Sequence, residues 1–185
     1  MRIIGGKHRG TALAGVGKGD PAAHLRPTTD RVRESLFNLL AHGDYPDIAG
    51  ARVLDLFAGT GALGLEALSR GAERVLFVDE GAKARALIRE NIDRLRVIGQ
   101  TRLYRRDATR LGENRAAPYT LVFLDPPYGK GLGERALASA RAGGWIAPGA
   151  LVVWEERGAV AVPDWLTLHD ARAYGDTAIR LLVAD

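Results

Sequence analysis

The chain has 185 residues, 46% of them hydrophobic and 26% charged, with a formal net charge of +4 and no cysteine. That size and balance suit one globular domain with its own core. The lack of cysteine excludes disulfides, Cys-ligated metals and any thiol nucleophile, including the one that C5 methylation of pyrimidines needs. No apolar run approaches the roughly eighteen residues of a membrane span, and no signal-peptide core is present, so a cytoplasmic protein is expected.

Residues 1–14 read as a hairpin: Arg2-Ile3-Ile4, a turn through Gly5-Gly6, then Arg9 to Leu13. Residues 15–27 are Gly/Pro/polar and read as loop. The positive charge collects here. Residues 1–33 hold seven bases and two acids, whereas the remainder holds 19 bases and 20 acids. A basic arm over 1–27 ahead of a main domain over 28–185 points to a polyanionic partner, with a merely solvated surface as the alternative. Asp30 can cap a helix whose apolar stripe is Val32, Leu36, Leu39 and Leu40.

From residue 51 strands and helices alternate. Strands are expected over 52–57, 74–78, 102–104, 119–124 and 150–154. Helices are expected over 62–70, 82–97 and 132–141, the second with Ala84, Ile88, Ile92 and Leu95 on one face. Such βαβ alternation predicts a parallel, doubly wound α/β sheet. Gly175-Asp176 between two strand-like runs is a hairpin signal, so the sheet should finish with an antiparallel pair.

Gly59-Thr60-Gly61-Ala62-Leu63-Gly64 fits G-x-G-x-x-G between a strand and a helix. Gly59 and Gly61 permit a tight turn close to a ligand, and Gly64 lets the helix approach the strand. Asp79 ends the next strand, where a carboxylate can accept from ribose hydroxyls. The motif alone suits NAD, FAD or S-adenosylmethionine. Asp55, a carboxylate inside the first strand, favours the last, because burial is costly unless a cation or backbone N–H groups offset it.

Asp125-Pro126-Pro127-Tyr128 follows a buried strand, at the sheet edge where α/β folds bind ligands. Two prolines stiffen the loop. An exocyclic base amine is a poor nucleophile because its lone pair is delocalised. Asp125 and the Pro126 carbonyl can each take one of its hydrogens, and Tyr128 can stack on the base. Methyl transfer is then an in-line displacement driven by positioning, with Asp125 or water taking the proton.

The stretches 55–61 and 125–128 together look like the class I amino-methyltransferase signature. A sharper resemblance is carried by Met1 to Gly6, Leu25-Arg26-Pro27-Thr28-Thr29-Asp30-Arg31-Val32-Arg33-Glu34-Ser35-Leu36-Phe37-Asn38 and Gly61 to Gly71. It is to the bacterial 16S rRNA guanine-N2 methyltransferase family. The resemblance implies a class I fold, S-adenosylmethionine as cofactor with S-adenosylhomocysteine as product, and one N2-methylguanosine in small-subunit RNA, made on an assembly particle. It also implies roles. Asp55, Phe57, Ala58, Gly59 and Gly61 belong to the first cofactor motif, and Asp79 to the ribose, with Glu80 beside it. Asp107 and Ala108 lie at the adenine, Arg26 and Thr28 at the methionine end, and Asp125 to Tyr128 form the catalytic loop. Glu80-Gly81-Ala82 departs from the bulkier polar residues of relatives.

Lys7, His8 and Arg9 at the hairpin tip, and Arg31 and Arg33 on the first helix, are the expected RNA contacts. Arg102, Arg105, Arg106 and Arg110 read as a solvated edge. Trp145, Trp154 and Trp165 read as packing. The four histidines are scattered and no metal is expected. A monomer is expected. A DNA or RNA adenine-N6 methyltransferase and a non-catalytic assembly factor are alternatives, the DNA enzyme disfavoured because there is no room for a target-recognition domain. A nicotinamide oxidoreductase would need a hydride-accepting site that is not evident.

Overall fold

A computed structural model describes residues 1–16 and 29–185. The elements run α1 (Asp30–His42), β1 (Arg52–Leu56), α2 (Ala62–Ser69), β2 (Arg74–Val78), α3 (Ala82–Leu95), β3 (Thr101–Tyr104), β4 (Tyr119–Leu124), α4 (Leu132–Ala142), β5 (Ile146–Glu156), β6 (Leu166–Tyr174) and β7 (Thr177–Ala184). They build one seven-stranded sheet in the order β3-β2-β1-β4-β5-β7-β6. The first five strands in that order are parallel, and β7 runs antiparallel between β5 and β6. Tyr174 pairs with Thr177 across Gly175-Asp176, the two-residue turn expected from the sequence.

Alternation along the strands divides the core in two. Val53, Val75, Phe77, Leu121, Phe123 and Val153 face α1, α2 and α3. Leu54, Leu56, Leu76, Val122, Leu124 and Trp154 face α4 and the 3-10 turn Ala108–Arg110. Helices on both faces are what parallel strands buried on both sides require. Trp145 and Trp154 are buried here, and Trp165 packs against this layer.

Three sequence expectations shift. Thr29, not Asp30, caps α1, its side chain accepting from the Val32 amide at 3.3 Å. Asp30 is the first helical residue, a favourable place for an acid at a helix N-terminus. The buried face of α1 is Arg33, Leu36, Phe37 and Leu40, one position round from the expected stripe. β5 begins at Ile146 rather than at 150: Ile146 pairs with Tyr119 and Leu151 with Leu121, so β5 carries extra residues between these pairings, and Pro148 and Gly149 sit in that bulge.

The beginning of the chain is a hairpin-like arm, with Arg2 bridging Ala12 and the Ile3 amide donating to Thr11. It is fastened to the end of α2. Buried Glu66 accepts from the amides of Ile4 at 2.8 Å and Gly5 at 2.9 Å, and Ser69 receives those of Lys7 and His8. Gly6 has φ +75°, and a Cβ there would fall 1.8 Å from the Ser69 carbonyl oxygen, so the close approach needs glycine.

Candidate functional site

Register sets the site. Leu56 pairs with Val78 on one side and Leu124 on the other, Val78 with Tyr104, and Leu124 with Trp154. The residues that follow Leu56, Val78, Tyr104 and Leu124 therefore emerge in one row, Phe57, Asp79, Arg105 and Asp125, beside Glu155 in the last positions of β5. Crevices outside those ends are where open α/β sheets bind ligands.

The glycine turn after β1 is held from two sides. Phe57 takes φ 57°, an uncommon value for a non-glycine residue, and Gly59 and Gly61 take +60° and +77°. The Asp79 carboxylate accepts from the Gly59 amide at 2.9 Å and the Gly81 amide at 2.8 Å, one on each oxygen. Carboxylate oxygens keep further lone pairs, so Asp79 can still receive hydroxyl donors. Ala58 donates to the Val78 carbonyl at 3.2 Å, while Glu80 is exposed beside this turn. Gly64 lies against the strands; a Cβ there would meet Phe77 at 2.5 Å and Val75 at 2.7 Å.

Asp55 is buried in β1 and accepts from the Gly64 amide at 3.0 Å. Burial pushes its carboxyl up to about 8, the Gly64 bond opposes this, and the Asp79 charge adds to it. Such a group gains from a nearby cation. Asp107 caps the 3-10 turn through Oδ1, which accepts from the Thr109 amide at 2.8 Å and hydroxyl at 2.7 Å. The Thr109 hydroxyl chiefly, then the Thr109 amide, Arg110 and Arg135, lower its pKa against burial. Oδ2 makes neither of these bonds. Ala108 is buried next to it.

The loop 125–128 hangs from the end of β5. Tyr128 donates its hydroxyl to Glu155 Oε1 at 2.9 Å, and the Gly129 amide donates to Glu156 Oε1 at 3.3 Å. The Arg157 guanidinium lies 5.6 Å from the Tyr128 ring centroid, so one face of that ring is covered. Pro126 is buried and Pro127 exposed. Burial, then Glu155, Asp55 and Glu156, push the Asp125 carboxyl well above its ordinary range. Burial, Asp125 and Glu155 likewise raise the Tyr128 phenol. Glu155 and Glu156 were not anticipated from the sequence, although they carry a signal like that of Asp125, acids that close a buried apolar run, here as the last two residues of β5.

Asp55, Phe57, Ala58, Gly59, Gly61, Asp79, Glu80, Asp107, Ala108 and Asp125 thus fall along one edge of the sheet. Arg26 and Thr28 lie outside the described residues. Among the expected RNA contacts, Lys7, Arg9 and Arg31 are exposed and His8 is half-buried. Burial and then Lys7 lower the His8 pKa. Arg33 is a correction. Its side chain is fully buried, pairing with Asp30 at 3.0 Å and Glu66 at 3.5 Å and donating to the Arg2 carbonyl, so it does not face RNA. The buried Glu66 carboxylate and the Arg2 carbonyl draw the guanidinium inward where the arm meets α1 and α2. Among the described residues no group of three or more His, Asp or Glu could hold a metal ion, and no helix is long and apolar enough to cross a membrane.

The family described as Conserved hypothetical protein 95 matches residues 1–183. The chain is 39% identical over 184 residues to ribosomal RNA small subunit methyltransferase D of Escherichia coli (strain K12), covering 98% of this chain and 88% of that one. It is 34% identical over 191 residues to the protein of the same name from Haemophilus influenzae, covering 98% and 92%. A solved structure of an Escherichia coli protein described as the methyltransferase yhhF superposes with a TM-score of 0.84 at 38% identity, covering 100% of this chain and 98% of the other.

Proposed function

The chain belongs to the family of ribosomal RNA small subunit methyltransferase D, and from that premise we propose that it methylates the exocyclic N2 of one guanine in 16S ribosomal RNA, using S-adenosylmethionine. Its fold is the class I methyltransferase fold, and it acts on small-subunit assembly particles, as a monomer, in the cytoplasm.

The observation that carries this reading is the Asp125-Pro126-Pro127-Tyr128 loop, held at the carboxyl end of β4 beside the glycine turn and Asp79. The residues along this edge fit the cofactor. Asp79 offers acceptors for ribose hydroxyls, Asp107 Oδ2 an acceptor for an amine, and Asp55 a buried carboxyl that a cation would relieve. When bound, S-adenosylmethionine supplies an electrophilic methyl group on a sulfonium.

The protein's part is orientation. Asp125 and the Pro126 carbonyl accept the two amine hydrogens and turn the nitrogen lone pair toward the methyl. The raised pKa makes the ionised Asp125 a stronger base, suited to take the proton that the amine sheds. Tyr128 offers its uncovered ring face to the base, which must leave its stack to reach the loop.

The test supplies methyl-labelled S-adenosylmethionine with undermethylated small subunits, their naked RNA or duplex DNA, and identifies the labelled nucleoside. N2-methylguanosine from subunits, lost in Asp125→Ala, is expected. N6-methyladenosine would overturn the base, and no label with any substrate would overturn catalysis.

A further inference from the structure

The face of the sheet that carries α4 is incompletely roofed near β3. The connection 105–118 makes one 3-10 turn where a βαβ unit would set a helix, and a groove of about 650 Å³ remains between it, β3 and the start of β4. None of the cofactor or catalytic-loop residues lines this groove.

Its floor is a rigid aromatic cluster. Trp145 stacks on Tyr119 with centroids 6.1 Å apart and meets Tyr104 edge-on at 6.4 Å, and its Nε1 donates to the Gly112 carbonyl at 2.7 Å. Trp145 and Tyr119 are buried, so their faces are not free to stack a base.

Its rim is cationic. Arg102, Arg106 and Arg115 line it against one acid, Glu113. Arg106 is occupied, lying 5.3 Å from the Tyr104 ring centroid and donating to the Leu111 carbonyl. Arg102 and Arg115 are exposed, and among the described residues neither guanidinium makes a hydrogen bond or ion pair. Arg52 sits 5.4 Å from the Tyr119 ring, and Arg52, Arg102 and Arg74 all pull the Tyr119 phenol down against the upward push of burial. Three arginines therefore line one groove, and two of them have free planar forks, the shape that takes phosphate oxygens in pairs.

We propose that this groove is a second RNA site, in which Arg102 and Arg115 hold backbone phosphates of the substrate RNA at the β3 edge, away from the reacting base. It rests on the RNA methyltransferase reading. Excess arginine over acid favours a polyanion, and buried aromatics favour backbone contact over base stacking. The groove lies three strand spacings, about 14 Å, across the sheet from β4 at β3, and reaches the start of β4 at Tyr119, about 20 Å along the strand from Asp125, so one structured RNA that covers about 25 Å can span the groove and the catalytic loop.

The test is the double variant R102A/R115A, with R102K/R115K as its charge-conserving partner. Dissociation constants for naked small-subunit RNA are measured across a salt series, alongside kcat at saturating RNA and stabilisation by S-adenosylhomocysteine. The Ala pair should bind RNA about tenfold more weakly, with the salt slope reduced by about 1.4–1.8, or 0.7–0.9 for each phosphate lost. The Lys pair should keep most of the slope, and kcat and cofactor stabilisation should not change. An unchanged RNA affinity and slope would overturn the proposal, as would a loss of cofactor stabilisation, which would assign the groove to the cofactor. Methylation by the parent protein is scored separately. If it labels no RNA, the functional reading fails while the salt slope still decides the groove.

Discussion

The Tyr128 hydroxyl donates to Glu155 Oε1 at 2.9 Å, which ties the loop after β4 to the end of β5. The same carboxylate raises the pKa of both Tyr128 and Asp125. Glu155 therefore sets the position of one member of the loop and the proton affinity of another.

Removing that charge separates the two effects. Glu155→Gln keeps an acceptor for Tyr128 but relieves Asp125 of a like charge, so the Asp125 pKa should fall. If Asp125 works as the carboxylate, the acid limb of kcat against pH should move to lower pH in Glu155→Gln. Glu155→Ala should show the same move together with a kcat lower by roughly tenfold from loss of positioning. Identical pH profiles in all three proteins would remove Glu155 from the mechanism.

Asp55 predicts a pH dependence of stability. Its folded pKa of about 8 stands above the ordinary 3.8, so the folded state holds a proton that the unfolded state has already released. The stability this contributes is full below about pH 4 and is lost as pH rises through 8. Asp125 adds to the same trend. Cofactor-free protein should weaken between pH 5 and pH 8, and Asp55→Asn should gain on it by on the order of a few kcal/mol over that interval. Urea denaturation at both pH values reads the difference, and parallel pH trends would mean that Asp55 titrates normally.

Glu66 is the anchor of the arm. It accepts two amides and pairs with Arg70 at 2.8 Å and Arg33 at 3.5 Å. Glu66→Ala leaves the buried Arg33 and two part-buried amides without this acceptor and should cost about 3–5 kcal/mol. Thermal or chemical denaturation checks this. A loss under about 1 kcal/mol would show that water replaces the carboxylate.

Lys7 and Arg9 stand exposed on the arm that Glu66 holds. Replacing both with Ala should weaken RNA binding and lower its salt slope by about 1.4–1.8, while melting temperature stays within a degree or two. A slope equal to that of the parent protein would mean that the arm touches no phosphate.

Much of this architecture is readable from local patterns. The strand–helix alternation, the Gly175-Asp176 turn, the buried face of α3 and the close packing at Gly64 all follow from periodicity and turn chemistry within a short window. What escapes are features whose cause lies far along the chain. Arg33 reads as a surface cation because its partner, Glu66, is 33 positions away and only the fold joins them. Thr29 and Asp30 are both good caps, and sequence cannot rank adjacent candidates. Pro148 and Gly149 look like strand breakers, and they are carried in a bulge of β5 between its pairings with Tyr119 and Leu121. Within the site, Asp55, Asp79 and Asp125 announce themselves by following or interrupting apolar runs. The part played by Glu155 and Glu156 depends on Tyr128 and Gly129 reaching across to a neighbouring strand.

One side chain gives the arm a bearing on the cofactor turn. Buried Asn91 of α3 accepts from the Ala14 amide at 2.6 Å and donates to the carbonyls of Ala14 at 3.0 Å and Thr60 at 2.9 Å. Ala14 closes the arm, and Thr60 sits inside the glycine turn. If a ligand on the arm and one on the turn favour the same geometry of this bridge, thermodynamic linkage makes the effect equal in both directions. RNA should then tighten the hold on S-adenosylmethionine by the same factor as S-adenosylmethionine tightens the hold on RNA, and Asn91→Ala should uncouple the two affinities.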